Sequence, residues 1–448
     1  MRRRTLLGSL AAGITARGLG QTRRSEPIRD ACGCAPQIMR SSDMPPGSTA
    51  FRGIGSKLRV TGLKVFGVTL PESLGQTDRP YVFVKLETNQ GVVGWGEATL
   101  EGKAAAAMAC VNDLKDLIVG SDPMQVEHLY QLMYVGSFYR GGPVLGSAIS
   151  GIDQALWDIR GKVLGLPVYE LLGGPVDPQG VRGYYHGSAW TVAEARELGA
   201  KARAEGVTAL KFQLPDLLEW VETNKKIKRA VRALEIYREG LGPDIDFAVD
   251  FHARPSPTVA AIILREIEPL NLLFAEEICP PENVRAMQRA VRKSTTPIAT
   301  GERLIACYGF SEIIDLGIAD VLQPDIAHVG GITALWKVSA AAEAAGIRMA
   351  PHACEGPIGG IASLHVDAAS PNMLAQEICG AVQAGERNRV WEELLGFAAM
   401  RMVGGRYPLP TRPGLGFEVS EAALKKYPFQ GTRPFVTAFH EDGAVASI

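Results

Sequence analysis

Between residues 181 and 377 short apolar runs alternate with stretches whose apolar positions recur every three to four residues. The runs at 181–186, 209–213, 246–252, 272–276, 297–302, 320–325, 348–352 and 373–377 read as strands. Amphipathic helices are predicted over 192–205, 223–239, 258–267 and 332–345. A strand–loop–helix unit repeated in this way fits a (β/α) barrel, whose usual length is about 250 residues. A doubly wound sheet competes with it, but the Gly-rich phosphate loop expected after its first strand is missing. Upstream the rhythm differs. Residues 58–69 alternate like a strand, 81–88 and 92–97 form a hairpin around Asn89-Gln90-Gly91, and 102–119, 125–134 and 145–164 have helical periodicity. This α+β unit cannot bury both faces of its sheet alone and should pack on something larger. Past Gly380 the pattern is irregular, with Trp391, Pro408, Pro410 and Pro413, and is expected to return over the α+β unit or to seal the barrel. The division expected is 1–56, 57–175, 176–385 and 386–448.

Composition adds limits. The length of 448 residues suits two domains. A formal net charge of −1 gives no signal for nucleic acid, and no apolar run approaches the roughly 18–20 residues of a membrane span. Arg2-Arg3-Arg4-Thr5-Leu6-Leu7, followed by a small-residue apolar stretch ending Ile14-Thr15-Ala16, resembles a twin-arginine export signal. It predicts a periplasmic or secreted protein; the alternative is a basic N-terminus on a cytoplasmic one. Residues 17–56, rich in Gly, Pro, Ser and Arg, read as a linker. Of seven cysteines, Cys32-Gly-Cys34 lacks zinc spacing. Cys110, Cys279, Cys307, Cys354 and Cys379 read as buried thiols, and the odd total argues against a disulfide framework.

The chemistry lies at the ends of the apolar runs. Asp250, Glu276 and Glu302 each close one, and they are spaced 26 residues apart (276 − 250 and 302 − 276). In a parallel barrel such ends meet at one mouth. Three converging carboxylates repel unless a cation sits among them, and oxygen-only ligands suit Mg²⁺. Asp250 and His252, two apart on one strand, should point the same way. Asp325 and His352 end adjacent strands, and a carboxylate on one imidazole nitrogen raises the basicity of the other, which suits His352 as a general base. His252 stands across the mouth, free to act as an acid. Base, acid and metal together describe abstraction of a proton α to a carboxylate and expulsion of a β-hydroxyl. A single strand-end Asp is more often a helix cap than a ligand, so the weight rests on the set. His328 reads as a helix cap; His128, His365 and His440 read as surface or core; Trp95 and Trp157 read as core.

Gly91-Val-Val-Gly-Trp-Gly-Glu97, Phe138-Tyr-Arg-Gly-Gly-Pro143, Ala148-Ile-Ser-Gly-Ile-Asp-Gln-Ala-Leu-Trp-Asp-Ile159, Asp250-Phe-His252, Glu276-Glu277, Gly301-Glu-Arg303, Gln323-Pro-Asp325, Pro351-His352 and Gln376-Glu377 resemble the enolase superfamily, mandelate-racemase-like branch, and within it galactonate dehydratases. The resemblance implies an α/β enolase fold: a (β/α)7β TIM-like barrel with an N-terminal α+β capping domain. It implies Mg²⁺ on Asp250, Glu276 and Glu302, and His352 as base in a dyad with Asp325. His252 would assist the leaving hydroxyl, and Glu377 would hydrogen-bond the substrate's carboxylate or enolate. The superfamily works with a Lys or His base and one or two Mg²⁺ ions. The activity implied is dehydration of an aldonic acid to a 2-keto-3-deoxy acid by a homo-oligomer. A racemase or epimerase, or a catalytically idle sugar-acid binder, are the alternatives. Lys211-Phe-Gln213 stands where relatives carry Lys-x-Lys, so Lys211 is a contact to substrate or to the ligand shell rather than a base. Tyr139 and Arg140 are candidates to reach substrate from the cap, and His186 to face it from strand one. Ala253, where galactonate dehydratases have Gly, and Ala353-Cys354-Glu355-Gly356 depart from the pattern beside the substrate.

Overall fold

The computed structural model describes residues 57–71, 80–292, 294–378, 386–396, 401–433, 435 and 437–446. The export signal and linker expected at 1–56, with Cys32, Cys34 and Cys379, lie outside the described residues.

Three antiparallel strands come first, β1 (Val60–Val68), β2 (Tyr81–Thr88) and β3 (Val93–Glu97), in the order β1-β2-β3. Gly91, at φ 78, makes the β2–β3 turn in the left-handed region that glycine enters freely. The helices α1 (Ala104–Asp113), α2 (Lys115–Ile118), α3 (Val126–Tyr134), α4 (Pro143–Leu164) and α5 (Val168–Leu171) follow. Helix α4 begins on a proline and ends on left-handed Gly165, the usual signals for both ends. Strand β3 lies directly on it. A Cβ at Gly94 would sit 2.1 Å from the Ala155 carbonyl oxygen, and one at Gly96 would sit 2.0 Å from that of Gly151. That contact explains the glycines of Gly91–Glu97 and the small residues facing them.

The second part runs β4 (Val181–Arg182), β5 (Tyr185–His186), α6 (Val192–Ala204), β6 (Ala209–Gln213), α7 (Asn224–Leu241), β7 (Asp246–Asp250), α8 (Pro257–Ile267), β8 (Ala275–Glu276), α9 (Val284–Val291), β9 (Ile298–Thr300), α10 (Tyr308–Asp315), β10 (Val321–Leu322), α11 (Gly331–Ala344), β11 (Arg348–Met349) and α12 (Pro357–Ala369). Strands β5 to β11 form one parallel sheet in sequence order. The predicted eighth strand makes only isolated parallel bridges, Met349–Met373 on one side and Gly183–Gln376 on the other. Those bridges join the two edges of the sheet and close a TIM-like barrel. After it come α13 (Glu386–Leu395), β12 (Arg406–Tyr407), α14 (Glu421–Leu424), β13 (Ala438–Phe439) and β14 (Val445–Ala446). β12 pairs with β4 at the barrel, Pro428 bridges to Val68, and Trp391 stands edge-on to Tyr81 at 4.9 Å.

Several strands stop short of the apolar runs that predict them. β7 ends at Asp250, not His252, and β9 at Thr300, not Glu302. His252 and Ala253 both take φ 53, and Gly301 takes φ 148, so the chain turns as it leaves the sheet. Asp250 and His252 therefore do not share a strand face, contrary to the alternation argument.

The two parts are joined by buried carboxylates. The N-cap residues of α11 and α12, Gly330 and Gly356, offer no side-chain cap. Asp153 on α4 instead accepts from the Thr333 N–H at 2.9 Å and the Thr333 hydroxyl at 2.6 Å. Glu97, closing β3, accepts from the N–H groups of Ile358 (3.0 Å) and Gly359 (2.9 Å) and from the Thr99 hydroxyl (2.6 Å). Orphan amides at a helix start favour an anion, and here it comes from another part of the chain. Asp158 completes the set by accepting from the Trp95 and Leu415 amides at 3.0 and 2.8 Å. Glu97→Ala is expected to destabilise the protein by about 2–4 kcal/mol in urea unfolding, since it leaves buried amides unpaired; a cost below about 0.5 kcal/mol would contradict this account.

His365 of α12 is fully buried, and its Nδ1 accepts the Tyr169 N–H at 3.1 Å. Burial pushes its pKa down to about 4. The unfolded chain then binds the extra proton first, so stability is complete above about pH 6.5 and falls as pH drops toward 4. Over that interval wild type is expected to lose about 3 kcal/mol that His365→Gln does not lose, measured by denaturant titration at each pH.

Candidate functional site

The mouth of the barrel opens into a cavity of about 640 Å³. Asp250, His252, Glu302, His352, Lys211 and Glu377 line it, and His186 joins them from the end of β5. Glu276 is fully buried at the end of β8, paired in register with Asp250. Nine of the eleven residues singled out from the sequence thus converge: these eight and Asp325, which lies behind His352.

The centre of the cluster is Lys211, on β6. Its Nζ lies 2.8 Å from Glu276 Oε1 and 2.7 Å from Glu377 Oε1, with all three side chains at 5% exposure or less. His186 Nε2 meets the same Glu377 oxygen. Burial opposes ionisation of Glu377, but Lys211 and His186 overrule it and hold its pKa well below the carboxylate range. The other acids are not so served. Burial, reinforced by Glu302, pushes Asp250 up to about 6 against Lys211. Burial, with repulsion from Asp250 and Glu377, pushes Glu276 up to about 7. Glu302 is likewise raised, mainly by burial. Glu276 Oε2 is buried without a hydrogen-bond partner. One ammonium therefore does not neutralise this cluster. An all-oxygen set with surplus negative charge and an unsatisfied oxygen fits a hard divalent cation, and Asp250, Glu276 and Glu302 are the residues that would hold it. Glu277 is engaged elsewhere, 2.8 Å from Arg303 Nε.

Among the described residues, two groups of three have ligand-type atoms all within 4.8 Å of one another, and Asp250–Glu276–Glu302 is not one of them. In one, His186–Cys354–Glu377, Cys354 is disulfide-bonded and offers no thiolate. Cys110, Cys279 and Cys307 are free, so its partner lies outside the described residues. Reading Cys354 as a free buried thiol was incorrect; an odd total does not prevent one pair from forming. The other group, Asp325–His328–Glu355, is a hydrogen-bond network. His328 Nδ1 bonds Ser147 Oγ at 2.9 Å and Nε2 bonds Glu355 Oε1 at 2.9 Å. Burial opposes its protonation, but Asp325 and Glu355 raise its pKa to about 9. His328 is thus a buried ion-pair partner, not the helix cap expected.

His352 Nδ1 lies 2.5 Å from Asp325 Oδ2, and its Nε2 lies 3.8 Å from Glu302 Oε2. Asp325 Oδ1 accepts the Ala327 N–H at 2.6 Å, which fixes the carboxylate. Burial would lower the His352 pKa; Glu302 and Asp325 raise it well above the usual value. His252 has the opposite setting. Burial, with Arg303 and Arg254, pushes it down to about 3, and the ring is neutral. Its amide donates to Asp250 Oδ1 at 2.6 Å, which ties the left-handed turn to the strand end. Ala253 follows in that turn, buried and at φ 53, where a Cβ is disfavoured; this is the physical reason a glycine suits the position.

Tyr139 and Arg140 do not line the cavity; they stand beside Gly141 and Gly142, both with positive φ, before α4, and Tyr139 is 88% exposed. Arg254, Gln213, Glu101, Trp190 and Phe435 do line it, and sequence reasoning missed them as site residues. Arg254 was visible as the last residue of the Asp-Phe-His-Ala-Arg stretch. Glu101 and Phe435 come from outside the barrel strands and carry no local signal.

Residues 191–423 match the enolase C-terminal domain-like family, and residues 72–173 match the N-terminal domain of mandelate racemase / muconate lactonizing enzyme. The chain belongs to the enolase superfamily. It is similar to a superfamily member from Salmonella Typhimurium (29% identity, 83% of this chain and 98% of that one, TM-score 0.77). It is also similar to a protein from Mesorhizobium loti provisionally called a dehydratase (31%, 83% and 98%, TM-score 0.75). A third, an enolase from Pantoea ananatis, was solved with bound d-gluconate and Mg (29%, 87% and 100%, TM-score 0.77). Enzymes of this superfamily bind Mg²⁺, in keeping with the charge surplus of the carboxylate cluster.

Lys211→Met removes the ammonium between buried acids. It is expected to lower stability by about 3–5 kcal/mol in EDTA. Mg²⁺ should then raise the melting temperature of this variant more than that of wild type; an equal or smaller rise would contradict a cation site at the cluster.

Proposed function

We propose that this enolase-superfamily protein is a Mg²⁺-dependent sugar-acid dehydratase. It takes the proton from Cα of an aldonic acid and expels the β-hydroxyl, giving a 2-keto-3-deoxy acid. The observation that carries this reading is the His352–Asp325 pair on the wall of a cavity that also holds the carboxylate cluster and a second histidine. Asp325 holds the Nδ1–H of His352, which leaves Nε2 toward the cavity; a cation bound by Glu302 would offset the charge that now favours the imidazolium, and the neutral ring could then receive the α-proton. Bound Mg²⁺ would supply the positive charge that the carboxylates lack and that a carboxylate substrate demands.

Glu377 takes a different part from the one its motif implies. Held ionised by Lys211 and His186, it has no proton to donate to an anionic substrate. The N–H groups of Lys211 and His186 suit that task, and Glu377 orients them. His252 can protonate the leaving hydroxyl if the substrate's negative charge outweighs the burial, Arg303 and Arg254 that keep the ring neutral. That neutrality also favours a second reading. A neutral imidazole away from His352 is a proton acceptor, as a racemase or epimerase of a 2-hydroxy acid requires.

Incubation with Mg²⁺ and a panel of aldonic acids in D₂O separates the two. Release of a 2-keto acid supports dehydration. Deuterium at Cα without keto acid supports racemisation or epimerisation and overturns dehydration. His352→Ala is expected to lower keto-acid formation and Cα exchange by about 10²–10⁴-fold; unchanged exchange would remove His352 from the base role.

A further inference from the structure

The cavity is larger than the chemistry just described needs. Volumes of about 300–1,000 Å³ enclose drug-sized ligands, and 640 Å³ lies well inside that range. A single open-chain sugar acid fills only part of it. The rest is lined in a different style. Trp190 belongs to the wall and is nevertheless 64% exposed. Leu214, Pro215 and Phe435 bring further apolar surface. Trp190 therefore offers the cavity's edge a large aromatic face that a bound ring can cover.

Trp190 is presented firmly. Its backbone N–H donates to Glu194 Oε2 at 2.6 Å, and the next residue, Thr191, caps α6 by accepting from the Glu194 amide at 3.2 Å. The indole thus projects from a fixed helix start rather than from a loose loop. Polar groups line the same cavity. Gln213 is exposed at the end of β6, and Arg254 donates Nη1 to the Leu214 carbonyl at 2.8 Å while its buried Nε has no partner. An aromatic platform beside hydrogen-bonding side chains matches a pyranose, which offers an apolar ring face and a rim of hydroxyls. A purely hydrocarbon group would leave the Arg254 and Gln213 groups unmet.

We infer that the outer part of the cavity is a subsite for a glycosyl ring, so that the acid taken is a glycosylated aldonic acid, stacked on Trp190 through its sugar and held at its carboxylate end by the inner cluster. This rests on the sugar-acid reading above but concerns the other end of the ligand.

The test measures binding and turnover separately, with gluconate and cellobionate as probes on the Mg²⁺-loaded protein. By calorimetry cellobionate is expected to bind more tightly than gluconate. Trp190→Ala should shrink that preference about 10- to 100-fold, and Trp190→Phe should keep most of it. Equal affinities in wild type, exclusion of cellobionate, or an unchanged preference in Trp190→Ala overturns the subsite. Turnover reports on the other reading. If the Trp190-dependent preference is present and neither acid yields keto acid, the dehydratase assignment fails while the glycosyl subsite stands. Because Trp190 is largely exposed, the variants are expected to keep the wild-type melting temperature.

Discussion

Crowding of negative charge at one end of the barrel governs how the rest of the molecule is arranged. Asp250 and Glu276 end adjacent strands in register, Glu302, Asp325 and Glu377 stand just past the ends of theirs, and all five are buried or nearly so. Each is met differently. Glu377 and one oxygen of Glu276 have Lys211, and Asp325 has His352 and a backbone amide. Asp250, Glu302 and the second Glu276 oxygen are left with more charge than their surroundings offset. Charge is thus neutralised by protein in one part of the cluster and left in surplus at Asp250, Glu302 and the second Glu276 oxygen. A cation site differs from a structural ion-pair network in this respect.

The same arrangement sets two histidines apart. His352 lies among carboxylates and is driven toward the imidazolium; His252 is held toward the neutral ring by burial and then by Arg303, Arg254 and Lys211. Two groups of one chemical type with opposed proton affinities in one cavity make an acid–base pair possible. The loops that carry them are not free to drift. Asp325 leads into α11 and His352 into α12, and the starts of both helices are held by Asp153 and Glu97.

Much of this was legible in the chain. The 26-residue spacing of Asp250, Glu276 and Glu302 and the Asp325/His352 pairing follow from apolar runs that end in a polar residue, which periodicity finds. The hairpin at Asn89-Gln90-Gly91 is local turn chemistry and was equally plain. Strand ends were overrun because apolar character continues into the mouth while pairing stops, as at Phe251, buried but beyond β7. The capping roles of Glu97 and Asp153 were hidden because their partners lie far away in sequence. Tyr139 and Arg140 stand away from the cavity lining, which the sequence did not show: glycines that make a loop turn do not say which way. Trp190 was not singled out, since exposure has no signature in a hydropathy pattern.

The trans-acting caps also bear on how the chain is made. Glu97 reaches amides 261 and 262 residues further on, and Asp153 reaches Thr333 at a separation of 180. At roughly 5–20 residues per second of synthesis, Glu97 waits on the order of 13–50 s before its partners exist. In that interval the nascent first sheet and α4 carry acidic groups designed for burial but still in water. The α+β unit emerges first, yet it is finished among the last, when α12 arrives and the barrel can close.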